Sequence, residues 1–174
     1  MMTQDSQFEA WLRGPLAGIS ALLQPPAHSF VMAREEVDAA VAGLTPGQLW
    51  ASPGGAASIG FHLAHMAGST DRLLTYARGE PISEEQRAAL AAEGNIETTR
   101  PELGTMLEAW HLTIERALQQ IAETPETTLL EARAVGRQKL PSTVLGLIFH
   151  SAEHAQRHVG QIIATAAVVR AGLT

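Results

Sequence analysis

Three histidines recur at every fourth position in the stretch His150-Ser151-Ala152-Glu153-His154-Ala155-Gln156-Arg157-His158-Val159-Gly160-Gln161. On a helix, positions four apart lie one turn apart on the same side. At about 100° per residue, with His150 at zero, His154 falls at about 40°, Gln161 at about 20° and His158 at about 80°. Val144, Ile148, Ala152, Val159, Ile162 and Ala166 occupy about 120–200° on the same wheel. The imidazoles therefore flank a buried stripe, with His158 innermost and His150 nearest the solvent. Glu153, Gln156 and Arg157 are expected to face water. A polar row at the edge of an apolar face is where a helical bundle can hold a metal or a substrate.

The rest of the chain is punctuated by proline, glycine and capping signals. Ser6 to Leu12 and Leu16 to Leu23 read as short helical pieces, separated by Gly14-Pro15. After Pro25-Pro26 a helix is expected over Ala27 to Ala42, stopped by Gly43. Thr45-Pro46-Gly47-Gln48 has the form of a capping box for one short turn, and Pro53-Gly54-Gly55 reads as a loop. A second long helix is expected from Ala57 to Ala77, with Ile59, Leu63, Met66, Leu73, Leu74 and Ala77 on its buried stripe. Ser83-Glu84-Glu85-Gln86 caps a short helix to Ala92, closed by Gly94-Asn95. Thr99-Arg100-Pro101-Glu102 reads as the cap of a third long helix reaching Glu123. Glu126 to Lys139 reads as a loop crossing the bundle, with room for a short extended piece. Ser142 or Thr143 then caps the final helix, which ends near Gly172.

Four long helices and no convincing strand predict an all-α four-helix bundle with short additional helices, one domain over residues 1–174. The long connection between the second and third long helices permits a crossover. Apolar residues form 45% of the chain and the net charge is −6, so broad attraction to nucleic acid or an anionic membrane is not expected. Without cysteine there are no disulfides or thiolate metal sites, and any thiol chemistry needs a thiol from outside. No basic leader and no membrane-length apolar run stand out, which makes a cytoplasmic protein the expectation.

Neutral imidazole is a good ligand for zinc, nickel, copper and ferrous iron. His154 and His158 can direct ring nitrogens at one ion. Ala155 stands where a zinc protease carries its glutamate base, so that chemistry is excluded. His62 or His65 on the second long helix can complete a three-histidine set, leaving a coordination position for water or substrate. On that helix's wheel the apolar centre lies near 120° from His65, and His62 lies near 60°, so periodicity slightly favours His62. His28 and His111 read as structural and boundary residues. Gln161 is a candidate to orient an imidazole. Arg72, two turns beyond His65, is a candidate for an anionic substrate group or for the surface, and Asp71 points away.

Ser58-Ile59-Gly60-Phe61-His62-Leu63-Ala64-His65-Met66 with Asp71-Arg72-Leu73-Leu74, and His154-Ala155-Gln156-Arg157-His158-Val159-Gly160-Gln161, resemble the second-helix and last-helix signatures of the DinB-like metalloprotein superfamily. Ser58 maps the family's metal histidine onto His65. The resemblance implies His65, His154 and His158 as ligands of one divalent transition metal such as zinc, nickel or iron, in a four-helix bundle that is often a homodimer. His62 and His150 lie outside the core pattern, so a swapped ligand stays open. Characterised relatives use low-molecular-weight thiols. The resemblance thus implies a metal-dependent thiol transferase acting on a small-molecule substrate. The alternatives are a metal-dependent hydrolase that activates water and a non-catalytic metal-binding or small-molecule-binding protein.

Overall fold

A computed structural model describes residues 8–172. Among these residues the helices are α1 (Gln24–Val41), α2 (Pro46–Leu49), α3 (Ile59–Ala77), α4 (Glu84–Glu93), α5 (Ile96–Thr99), α6 (Leu103–Glu123) and α7 (Val144–Arg170). The long helices α6 and α7 each pack against both α1 and α3, so α1 and α3 share a diagonal of an all-α four-helix bundle. The α1–α3 and α6–α7 connections span the diagonals, while α4 and α5 bridge the neighbours α3 and α6. The long α3–α6 connection therefore does not cross the bundle. Phe30, Leu63, Met66, Trp110, Ile114, Ile148 and Ile162 are fully buried where the four stripes meet. No described helix is long and apolar enough to cross a membrane.

Polar caps set the starts that matter for the site. Ser58 accepts the Phe61 N–H at 3.1 Å and opens α3, and Thr143 accepts the Gly146 N–H at 3.0 Å and opens α7. Reciprocal capping boxes, Thr45 with Gln48 and Ser83 with Gln86, open α2 and α4. Each satisfies a first-turn N–H that has no partner within the helix.

Several boundaries depart from expectation. Helix α1 starts at Gln24, with Pro25 and Pro26 inside its first turn, where a missing N–H would be unpaired anyway. Leu16 to Ser20 is not helical, because the Gln24 side chain takes the N–H and C=O of Leu16 at 2.8 and 2.9 Å. The piece expected over 6–12 lies partly outside the described residues; within them Ala10–Leu12 forms a 3-10 turn. Thr99-Arg100-Pro101-Glu102 does not cap α6. Thr99 ends α5, Arg100 turns left-handed at φ 44°, and Glu102 precedes α6 without a side-chain cap. Pro101 disfavours right-handed helix at the residue before it, so the α5 turn stops there.

The stretch expected as loop ends in an antiparallel hairpin, β1 (Ala132–Val135) with β2 (Leu140–Thr143), in which Val135 pairs with Leu140 and Ala132 with Thr143. Pro141 lies in β2; a two-stranded ribbon has only edge strands, where proline is tolerated. Arg133 ties the hairpin to α3 by donating to the Ala77 carbonyl at 2.8 Å.

Candidate metal centre

Because α3 and α7 pack along one another, their histidines interleave. His65, His154 and His158 each offer a ring nitrogen, and these nitrogens all lie within 4.8 Å of one another. His65 Nε2 and His154 Nε2 are 3.0 Å apart. The ring centroids of His158 lie 4.8 Å from His65 and 4.6 Å from His154. The three side chains are half-buried, at the edge of the apolar stripe rather than inside it.

Two of the three rings are braced from behind. His65 Nδ1 donates to Glu93 Oε2 at 3.0 Å, and Arg72 Nη1 donates to the other oxygen, Oε1, at 2.5 Å. A proton on Nδ1 leaves the Nε2 lone pair of His65 directed at His154. His158 Nδ1 faces His62 Nδ1 at 2.9 Å. One of that pair must carry the proton; with it on His158, the Nε2 of His158 is free to bind an ion. The Phe61 ring stacks on His65 at 5.6 Å with a 5° interplanar angle. Only His154 lacks an acceptor behind it: its Nδ1 faces Arg157 Nη2 at 3.4 Å, and Arg157 is already paired with Glu153.

Burial lowers the pKa of three histidines at the centre. Burial pushes the His158 pKa down to about 4, helped by the imidazoles of His154, His65 and His62 and by Arg157. Burial, then His65, Arg157 and His150, also lower His154, with Glu153 opposing. Burial and His65 lower His62, against the charge of Glu97. Burial would raise the carboxyl of Glu93, but the hydrogen bonds from His65 and Arg72 and their charges outweigh it and hold the group below the usual carboxylate value. The centre thus combines three imidazoles held toward the unprotonated form, those of His62, His154 and His158, with an ionised carboxylate behind His65.

The other candidates lie elsewhere. His150 is exposed, 3.3 Å from Glu153, with its ring 5.6 Å from that of His154. Gln161 is exposed and bonds no imidazole. Arg72 is neither at the surface nor free for an anion: it is buried and paired with Glu93. Asp71 accepts from Gln86 at 2.6 Å and so helps dock α4. Gln156 donates to the Ser29 carbonyl of α1 rather than facing only water. His28 is buried against the Gly14 carbonyl at 3.0 Å, and His111 pairs with Asp38 at 2.7 Å at the boundary.

Glu93 is the principal residue that the sequence reading missed. Two local signals pointed to it. It ends α4, where the helix dipole disfavours an acid and where no basic residue compensates. Gly68 stands mid-helix in α3, a position that costs about 0.5–1 kcal/mol relative to alanine. A Cβ at Gly68 would collide with Glu93 Oε1 and come within 2.8 Å of Arg72 Nη1, so the glycine makes room for this pair.

Residues 29–162 match the family described as the DinB superfamily. The chain belongs to the DinB superfamily. No curated protein matches it. The matched region runs from α1 into α7 and takes in Glu93 as well as the five clustered histidines.

The donor set of this DinB-superfamily protein fits a borderline metal ion. With metal–nitrogen bonds of about 2.1 Å, two ligand nitrogens can stand up to about 4.2 Å apart, and those at right angles about 3.0 Å apart. The observed 3.0 Å between His65 and His154 lies in that range. Nitrogens up to 4.8 Å apart need to close by up to about 1.4 Å to reach the roughly 3.4 Å between ligands of a tetrahedral ion.

Proposed function

We propose that His65, His154 and His158 hold one divalent transition-metal ion, and that the protein is a metal-dependent enzyme of the thiol-transferase type. The observation that carries this reading is the convergence of three imidazole nitrogens from two helices, two of them braced on their far side. Protein ligands of this kind leave the ion its full charge and part of its coordination sphere. An ion held there would supply Lewis acidity, favouring the anionic form of an external thiol at neutral pH.

The chain's own groups do the rest. Glu93 holds the Nδ1 proton of His65 and keeps Nε2 as a lone pair; His62 does the same for His158 by accepting at Nδ1. Burial keeps His154 and His158 unprotonated near neutrality. With no cysteine in the sequence, the sulfur must come from a low-molecular-weight thiol. In the transfer, that sulfur forms a bond to an electrophilic carbon of the small-molecule substrate, the leaving-group bond breaks, and the thiol proton passes to solvent. The reading carries with it the homodimer expected of the family, for which the exposed Phe8, Trp11, Leu12 and Leu22 offer apolar surface.

The test offers zinc-, nickel- or iron-loaded protein an epoxide or an activated aryl halide, with and without a low-molecular-weight thiol. Metal-dependent acceleration only with thiol is the expected result. Turnover without thiol replaces transfer by hydrolysis. Silence in both arms with metal bound leaves a binding protein and refutes the enzyme.

A further inference from the structure

Helices α4 and α5 bury no side chain completely. A helix usually docks through an apolar face, whose burial supplies most of its stability. Here Leu90, the large apolar side chain of α4, is 46% exposed. The residues of this segment that turn inward are Gln86, Glu93, Ile96 and Glu97, three of them polar. All three polar groups reach α3. Gln86 donates to Asp71 at 2.6 Å and to Thr75 at 2.8 Å. Glu93 accepts hydrogen bonds from His65 Nδ1 and from the Arg72 guanidinium. Glu97 accepts from the Ser58 hydroxyl at the start of α3.

We propose that Glu93 is a positioning residue of the metal centre, and that the α4–α5 segment is a clasp whose docking and metal binding stabilise one another. The proposal rests on the metal-site reading above and adds a coupling to it. A carboxylate behind a ligating imidazole fixes the ring and raises its basicity. By reciprocity, an ion that draws electron density from His65 makes its Nδ1–H a stronger donor to Glu93, and so holds the clasp more tightly. The segment has little apolar contact to hold it otherwise, so this polar latch carries an unusually large share of its docking. Gly68 belongs to the same device, since its missing Cβ gives the Glu93–Arg72 pair its place.

The test compares full-length protein stripped by chelator with the same protein given zinc alone. Hydrogen–deuterium exchange is followed over residues 84–99, and zinc affinity is measured by chelator competition. In the wild type, zinc is expected to slow exchange across 84–99 by tenfold or more. Glu93→Gln should weaken zinc binding about 10–100-fold and abolish most of that added protection. Gly68→Ala, which alters no ionisable group, should do the same in milder form. Glu84→Gln on the exposed start of α4 should change neither quantity.

The clasp is overturned, with the metal site left standing, if zinc binds stoichiometrically while exchange over 84–99 stays the same. It is equally overturned if both Glu93→Gln and Gly68→Ala bind zinc as the wild type does. If wild-type protein binds no zinc, nickel or iron, the metal-site reading and the clasp fall together. Should Glu93→Gln fail to fold, Gly68→Ala carries the comparison.

Discussion

Replacing His62 and His65 separately distinguishes a brace from a ligand. The two residues sit three apart on α3, yet their surroundings differ. His62 is 6% exposed, and its Nδ1 meets the back nitrogen of His158 at 2.9 Å. His65 presents Nε2 to His154 at 3.0 Å. Loss of a brace behind a ligating histidine typically weakens metal binding 10–100-fold. At about 1.4 kcal/mol per tenfold, that is about 1.4–2.8 kcal/mol. His62→Phe fills the ring's volume while removing the acceptor, so it isolates this effect from the cavity that His62→Ala would add. Zinc competition against a chromophoric chelator at pH 7.5 should therefore show His62→Phe binding one ion more weakly, within that range. His65→Ala removes a ligand nitrogen and should lose stoichiometric binding at micromolar protein. Apo-state melting of each variant checks that the fold survives. If His62→Phe loses the ion and His65→Ala keeps it at wild-type affinity, the ligand set is wrong and His62 is a ligand.

Acid should weaken the metal-free fold. The ordinary pKa of histidine is 6.5 and that of folded His158 is about 4, so between those values the unfolded chain takes up a proton that the native ring refuses. Native stability is then undiminished by this residue above pH 6.5 and falls as pH drops toward 4; His154, also lowered, adds to the decline. Urea midpoints in the presence of chelator, read across that window, should fall less steeply for His158→Gln than for wild type, and equal slopes would contradict the assignment. At the start of α3, a Cβ on Gly60 would come within 2.5 Å of the Trp50 ring. Gly60→Ala should cost about 1–3 kcal/mol, lowering Tm by several degrees, whereas Gly104→Ala, with open space around it, should leave Tm unchanged or slightly raised.

The long helices were legible because each carries its own apolar period and its own punctuation. Ser58, Ser83 and Thr143 cap α3, α4 and α7, three starts marked by a local hydroxyl. The boundaries that shifted did so through one side-chain contact and through the local geometry of proline. The Gln24 side chain claimed the backbone of Leu16, and Pro101 ended α5 rather than opening α6. The hairpin escaped because its two strands of four residues contain a proline and bury little.

At the site, two sequence arguments pointed to different histidines, and each described something real. The wheel picked out His62 as the inward residue, and it is the more buried of the two. The family pattern picked out His65, which faces His154. A wheel reports how far a side chain turns toward the apolar core. It does not report which side chain of another helix stands opposite, because that depends on the rotation and offset with which two helices pack. By itself, then, the amino-acid order determined four amphipathic rods and a row of imidazoles along the edge of one. The pairing of His65 with His154, of His62 with His158 and of Glu93 with His65 was decided by tertiary structure. These contacts join residues distant in the chain through polar groups, which leave no periodic trace for a local pattern to reveal.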